Sequence, residues 1–237
     1  MLHKFSQWRG TAVTARDGEV GTIEDVYFDD EHRRVRYLVV DAGGWLSQRR
    51  VLISPYAVRM GESTEGNIRV DLTRDQVKTS PPVDTQQPVS RLYEQAHADF
   101  YRYPYYWAGP LAWGPIAYPA LDKNGVPPVP GVPADAPAFD PGASEALEAA
   151  RRSHLRSCQE LLGYQAEALD GKAGRIDDIL IDDGDWSVAQ FVVDTREWLP
   201  GGQRQVPAEA LKGIHWSARE VRLDTHQRAV RQGPKAH

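Results

Sequence analysis

The sequence predicts a mainly β protein: two small β-barrels of one type, joined by a proline- and aromatic-rich segment with short helices. Three observations lead there. First, shifting the chain by 153 positions lays Gly10–Lys78 on Gly163–Arg231 without a gap, and 19 of the 69 aligned positions are identical. A gapless register of that length implies duplication, since unrelated β domains would differ by insertions in their turns. Second, each copy holds short alternating apolar runs behind an Asp-Gly dipeptide, a turn signal for hairpins. Third, 13 of the 17 prolines fall in residues 81–141, between the copies. The expected organisation is therefore residues 1–80, a linker over 81–157, and residues 158–237.

Each copy can be read strand by strand. Asp17-Gly18 and Asp170-Gly171 join a short first strand, near Val13 in the first copy, to a longer second one over Val20–Phe28. The alternation slips within this strand, from odd Ile23 to even Val26 and Phe28, with Ile176, Ile179 and Ile181 slipping alike. A β-bulge near Asp25 and Asp178 would re-aim the side chains by one residue. Asp29-Asp30 and Asp182-Asp183 open polar turns. Val35–Asp41 and Val188–Asp194 are the most apolar runs and read as central strands. Arg50–Ile53 and Arg204–Val206 follow Gly-containing loops, and Ile68–Leu72 and Val221–Asp224 close the units. A flat sheet of five such strands would expose an apolar face and two edges. Closure into a small barrel buries the face and removes most of the edge, leaving an interior filled with side chains rather than a cavity.

The linker reads differently. A helix is predicted near Arg91–Arg102, capped by Ser90, with Leu92, Ala96 and Phe100 on one face. A second is predicted near Glu145–Ser157, capped by Ser144, and Val126–Pro141 reads as a proline-stiffened connector. Between the helices lies an aromatic stretch: Tyr101, Tyr103, Tyr105, Tyr106, Trp107, Trp113 and Tyr118. Two readings stand for it. Its rings dock on a barrel and tie the halves together, or they are candidate partner-binding residues at a protein or membrane surface, where Tyr and Trp are enriched.

The net charge of −5 argues against a general nucleic-acid binder, which needs a surplus of Lys and Arg on one face. Cys158 is the sole cysteine, so no intrachain disulfide forms and a reducing compartment fits. Met1–Arg9 is too polar for a leader core, and Tyr105–Leu121, uncharged but broken by Pro110, Pro115 and Pro119, is a poor membrane helix. A cytoplasmic location is expected.

No catalytic constellation is expected. Seven histidines, expected mostly in loops or exposed, sit at no metal-ligand spacing from one another or from Cys158. Asp29-Asp30 and Asp182-Asp183-Asp185 lack the rest of a calcium loop, and Asp favours turns for backbone reasons alone. Asp25, Asp178, Asp41 and Asp194 recur at matching sites, which points to structure. His154 and Cys158, four apart on a predicted helix, could pair, but no acid or oxyanion element accompanies them. Gly18 and Gly21 form no phosphate loop. Trp45 and Trp198 read as barrel-end caps, with a contact point as the other reading.

Asp17-Gly18-x-x-Gly21-x-Ile23-x-Asp25, the Val-rich strand ending at Asp41 and the run Val51-Leu52-Ile53-Ser54-Pro55 resemble the PRC-barrel family. Asp170-Gly171, Gly174, Ile176, Asp178, Asp194 and Val206-Pro207 repeat the pattern, so that about 140 residues carry it. The family includes the cytoplasmic domain of the photosynthetic reaction centre H subunit and the C-terminal domain of a ribosome maturation factor. Neither the membrane helix of the one nor the different N-terminal barrel of the other is expected here. The resemblance implies two PRC-type barrels that act by docking onto other proteins, without catalysis, cofactor or metal. The expected partner is a protein, with a peripheral membrane contact or an electron-transfer setting as narrower forms. Nucleic acid is not expected. Two alternatives stay open: an enzyme with a site between the barrels, and an RNA-processing accessory factor using an Arg stripe (Arg33, Arg34, Arg36, Arg49 and Arg50), which otherwise reads as a solvated strand face.

Overall fold

The computed structural model describes residues 1–46, 49–83, 89–120, 154–196 and 202–236. The chain is mainly β, as expected. Its elements run β1 (Leu2–Lys4), α1 (Phe5–Trp8), β2 (Ala12–Ala15), β3 (Gly18–Asp29), β4 (Arg34–Asp41), β5 (Arg50–Ile53), β6 (Asn67–Arg69), α2 (Arg74–Thr79) and α3 (Arg91–Tyr101). Then follow β7 (Leu155–Ser157), α4 (Cys158–Leu161), β8 (Gln165–Ala168), β9 (Gly171–Asp182), β10 (Ser187–Asp194), β11 (Gln203–Pro207), β12 (Leu211–His215), β13 (Glu220–Leu223) and α5 (Gln227–Gln232). From β7 on, the elements retrace those from β1 at a spacing of 153 residues: β1 recurs as β7, α1 as α4, β3 as β9 and α2 as α5.

Two compact units form, and they interleave the two sequence copies. One comprises Met1–Thr11, Ile23–Leu38 and Arg156–His237; the other comprises Ala12–Thr22 and Val39–Leu155.

In the second of these, β2 pairs antiparallel with the start of β3 across the Asp17-Gly18 turn and parallel with β6, while β5 pairs with β4. Val13, Val20, Val39, Val51, Ile53 and Ile68 fill the interior. The recurring polar and glycine positions have tertiary reasons. The Asp17 carboxylate accepts the Arg74 N–H (2.8 Å) at the start of α2. Gly21 leaves room for the Asp41 carbonyl, which a Cβ there would overlap, and the Asp41 carboxylate turns the chain by accepting the Gly43 N–H (2.9 Å). The first unit repeats all three devices with Asp170 and Gln227 (2.7 Å), Gly174 and Asp194, and Asp194 and Arg196 (3.0 Å).

In that first unit β9 pairs with β10 over Arg175–Asp182, and its other edge is shared: β8 takes Gly171–Arg175 and β1 takes Leu180–Asp182. The expected bulge is present, since Val192 opposes Asp178 while Val193 opposes Ile176, leaving Asp177 without an opposite residue. β7 pairs with β3, and β8 lies parallel to β13, which pairs with β12. β12, not foreseen from the sequence, holds Gly213 and His215 and lacks the apolar alternation of the other strands.

One of the two helix expectations changes. α3 starts on its Ser90 cap, whose hydroxyl accepts the Tyr93 N–H (3.2 Å). It faces inward with Glu94, His97 and Ala98, while Leu92 (45% exposed) and Phe100 (40% exposed) point outward. Polar groups that find partners inside outcompete the apolar stripe. In the expected Glu145–Ser157 helix, Leu155–Ser157 instead form β7, whose backbone groups are used in the ladder to β3; residues 145–153, with Ser144 and the Val126–Pro141 connector, lie outside the described residues.

Candidate functional site

The aromatic stretch follows α3 and packs mainly onto its own unit. Trp113 is 1% exposed and meets Tyr56 edge-on at 5.3 Å, where a 3-10 turn (Pro55–Ala57) follows β5. The Tyr56 hydroxyl donates to the Trp113 carbonyl (3.4 Å). Tyr103 stacks on Tyr56 (5.0 Å) and on Tyr101 (5.4 Å). Tyr106 is buried with its hydroxyl on the Glu94 carboxylate (2.5 Å), and Tyr105 stacks on Trp107 (5.0 Å) beneath the Arg91 guanidinium, 4.2 Å from the Trp107 ring. Of the seven candidate residues only Tyr118 is an open side chain, at 58% exposure.

Beneath these rings lies a buried polar layer that the apolar reading of α3 missed. The His97 ring nitrogen Nε2 lies 2.9 Å from the Leu52 carbonyl and therefore carries the proton. Burial pushes its pKa down to about 4, against a smaller raising effect of that hydrogen bond, so the ring is neutral at pH 7. The histidines are expected mostly exposed or in loops, and His97 is neither. Its burial follows from the Leu52 carbonyl and from the rings of Tyr101 (4.8 Å) and Tyr93 (6.2 Å) that enclose it. Burial likewise raises the phenols of Tyr93, Tyr101 and Tyr103. A neutral imidazole walled by neutral phenols, with a backbone carbonyl as its acceptor, is a packing element rather than an acid–base centre.

The other unit spends its recurring acids on two short straps, Met1–Trp8 and Arg156–Leu161. Asp178 Oδ1 accepts the Ser6 N–H (3.1 Å) and the Ile179 N–H (2.8 Å), and Oδ2 takes the Ser6 hydroxyl (2.5 Å). Asp25 does the same with the Gln159 N–H (2.9 Å), the Val26 N–H (2.7 Å) and the Ser157 hydroxyl (2.5 Å). Burial raises the Asp25 pKa to about 6, against the opposing pull of those three donors. The bulge role expected for the two aspartates is there, in the Val26 and Ile179 bonds. The strap contacts were not foreseen, because nothing local in the sequence pairs residues 6 and 178.

Cys158 begins α4 instead of ending a helix shared with His154. It is fully buried, and burial, then Asp25 and Asp178, raise its pKa well above the ordinary thiol value. A thiol held protonated is a poor nucleophile. The Arg stripe is not a solvated face either. Arg36 is 1% exposed, its Nε 2.6 Å from the equally buried Asp29. Arg34 pairs with Asp185 at 3.3 Å, and Arg49 donates to the Lys78 carbonyl (3.0 Å). Trp45 donates its indole N–H to the Val20 carbonyl (2.7 Å) under Arg74, 4.2 Å from the ring. Trp198 lies outside the described residues. Among the described residues no group of three or more His, Cys, Asp or Glu could hold a metal ion, and no helix is long and apolar enough to cross a membrane.

These contacts define a mainly β protein whose recurring acids are committed to turns, bulges and straps. Residues 2–77 match the PRC-barrel domain model, and this stretch is a PRC-barrel domain. The chain is also similar to an uncharacterized protein of Deinococcus radiodurans, 38% identical over 71 residues, which cover 29% of this chain and 25% of that protein. The chain thus spans about a quarter of the length of the curated relative it matches.

Proposed function

We propose that the chain is a non-catalytic tandem PRC-barrel scaffold that docks onto a protein complex. One observation carries the tandem reading: the elements of the matched N-terminal domain recur in order 153 residues later, with the same Asp, Gly and Asp devices. Internal duplication explains that recurrence. A second PRC-type barrel then occupies the C-terminal part.

Docking is supported by what the aromatic segment leaves over. Most of the segment covers β5, whereas Leu92 and Phe100, two turns apart on α3, and Leu111 and Tyr118 stay exposed. Apolar side chains on a charged protein's surface are suited to a protein partner. Cytoplasmic location belongs to the same reading, on the strength of a single, buried thiol.

The test compares capture of partners from the native cell by the parent chain and by Leu92→Ser/Phe100→Ser/Tyr118→Ser. These positions are open, so the fold should persist, which thermal unfolding verifies. Loss of the parent's specific partners in the variant supports docking through this surface. Identical partners would move docking elsewhere, and a parent chain without any specific partner would overturn the scaffold reading. Deleting residues 90–121 is the poorer test, because it would strip Trp113 and Tyr103 from Tyr56.

A further inference from the structure

Within the unit built from Met1–Thr11, Ile23–Leu38 and Arg156–His237, the β4–β10 contact and the two straps are related as mates. Arg34 of β4 lies opposite Ser187 of β10, its own counterpart 153 residues later. The flanking bonds come as mates: the Val35 N–H donates to the Trp186 carbonyl (2.7 Å) and the Val188 N–H to the Arg33 carbonyl (2.8 Å). In an isologous interface residue i of one copy meets j of the other while j meets i, and a residue on the axis meets itself. The β4–β10 contact has that form.

The straps follow the same rule. β1 adds to the edge of β9, which belongs to the other copy, and β7 adds to β3. The His3 ring pairs with Asp183 (2.9 Å), and Arg156 at the equivalent strap position pairs with Asp30 (2.6 Å) at the equivalent acid. Asp178 holds the Ser6 N–H and hydroxyl; Asp25 holds the Gln159 N–H and the Ser157 hydroxyl. Phe5 and Trp8 of one strap, and Cys158 and Leu161 of the other, fill the apolar positions, all buried. Each copy thus lends its first strand and helical turn to its neighbour.

We propose that this unit is a self-recognition interface between two copies of one repeat, a homodimer interface enclosed in a single chain. Its determinants are the exchanged straps and the acids that receive them, and the partner each strap site fits is a second copy of the same repeat. The covalent path through residues 121–153 is not what holds the copies together. The inference rests on the duplication in the reading above and is independent of the docking partner, so either can fail alone.

The experiment uses the full chain with a protease site inserted after Pro130, cleaved to completion in native buffer as judged on a denaturing gel. Light scattering and native mass spectrometry at micromolar concentration then read the mass. One species with the mass of the intact chain is expected; separated fragments overturn the proposal. In the cleaved chain Asp25→Ala/Asp178→Ala should raise the fragment dissociation constant at least about tenfold, because buried strap donors lose their acceptors. The milder His3→Gln/Arg156→Gln, which leaves the buried positions intact, should raise it about threefold and abolish part of its salt dependence. An unchanged constant in both variants overturns the straps as the determinants.

Discussion

Asp25 and His97 give the chain opposing responses to acid. The Asp25 carboxyl titrates near 6 in the fold, raised from 3.8 mainly by burial, with the donors Ser157, Gln159 and Val26 lowering it and Glu24 adding a small raising effect. A raised acid contributes stability that is full below the unfolded pKa and is lost as pH rises through the window from about 4 to about 6. Asp25→Asn keeps an oxygen for the two N–H groups and offers an amide N–H to Ser157. It should match or exceed the parent in stability at pH 7, by up to roughly 2 kcal/mol, and lose the decline between pH 4 and 6. Urea unfolding across that range measures it, and a variant that destabilises at pH 7 by as much as Asp25→Ala would refute the account. His97 runs the other way. Its folded pKa of about 4 lies below the ordinary 6.5, so the unfolded chain takes up a proton that the fold excludes. Stability falls as pH drops from about 6.5 to about 4, by roughly 3 kcal/mol in all. His97→Gln retains a donor for the Leu52 carbonyl. It should unfold more easily at pH 7 by roughly 1–3 kcal/mol yet show a flatter curve on acidification. A curve as steep as the parent's would assign the acid sensitivity to other groups.

At the scale of elements, α3 shows where pattern reading works and where it stops. Its ends were readable, because Ser90 is a cap and capping is local. Its orientation was not, since Leu92, Ala96 and Phe100 make the better apolar stripe while Glu94 and His97 find buried partners far off in sequence, at Tyr106 and Leu52. The strands were readable for the same local reason: Asp-Gly turns and the slip at Asp25 and Asp178 are properties of one strand and its neighbour. β12 and β7 were not, because what makes them strands is a partner's edge. The difference carries a measurable consequence. Trp113→Ala, which empties a site against Tyr56, should cost about 3–5 kcal/mol, whereas Phe100→Ser on the open face should cost less than about 1. Equal losses in chemical denaturation would mean that α3 is turned as the sequence pattern suggests.

For the molecule as a whole, the sequence repeat and the compact units do not coincide, and the reason is the exchange of straps. The recurrence at 153 residues was visible in residues 10–78 and 163–231, where identities cluster at turns and central strands. Nothing in that alignment marks Met1–Trp8 as belonging to β9, since Ser6 and Asp178 are each ordinary residues for a turn of helix and a bulge; only the fold brings them to 3.1 Å. A chain lacking residues 1–9 therefore tests the organisation at long range. It would leave Leu180–Asp182 without β1 and Asp178 without Ser6, and remove Trp8 from Trp186, 5.5 Å away. Amide exchange should accelerate in the later half of β9 and around Trp186, some 170 residues from the deletion, by tenfold or more as local opening becomes easier, while amides of α3 in the other unit keep their protection. Unchanged exchange in β9 would mean that the strap adds no stability where it docks. Uniform acceleration through both units would mean that they open together, so that the two-unit division has no counterpart in local stability.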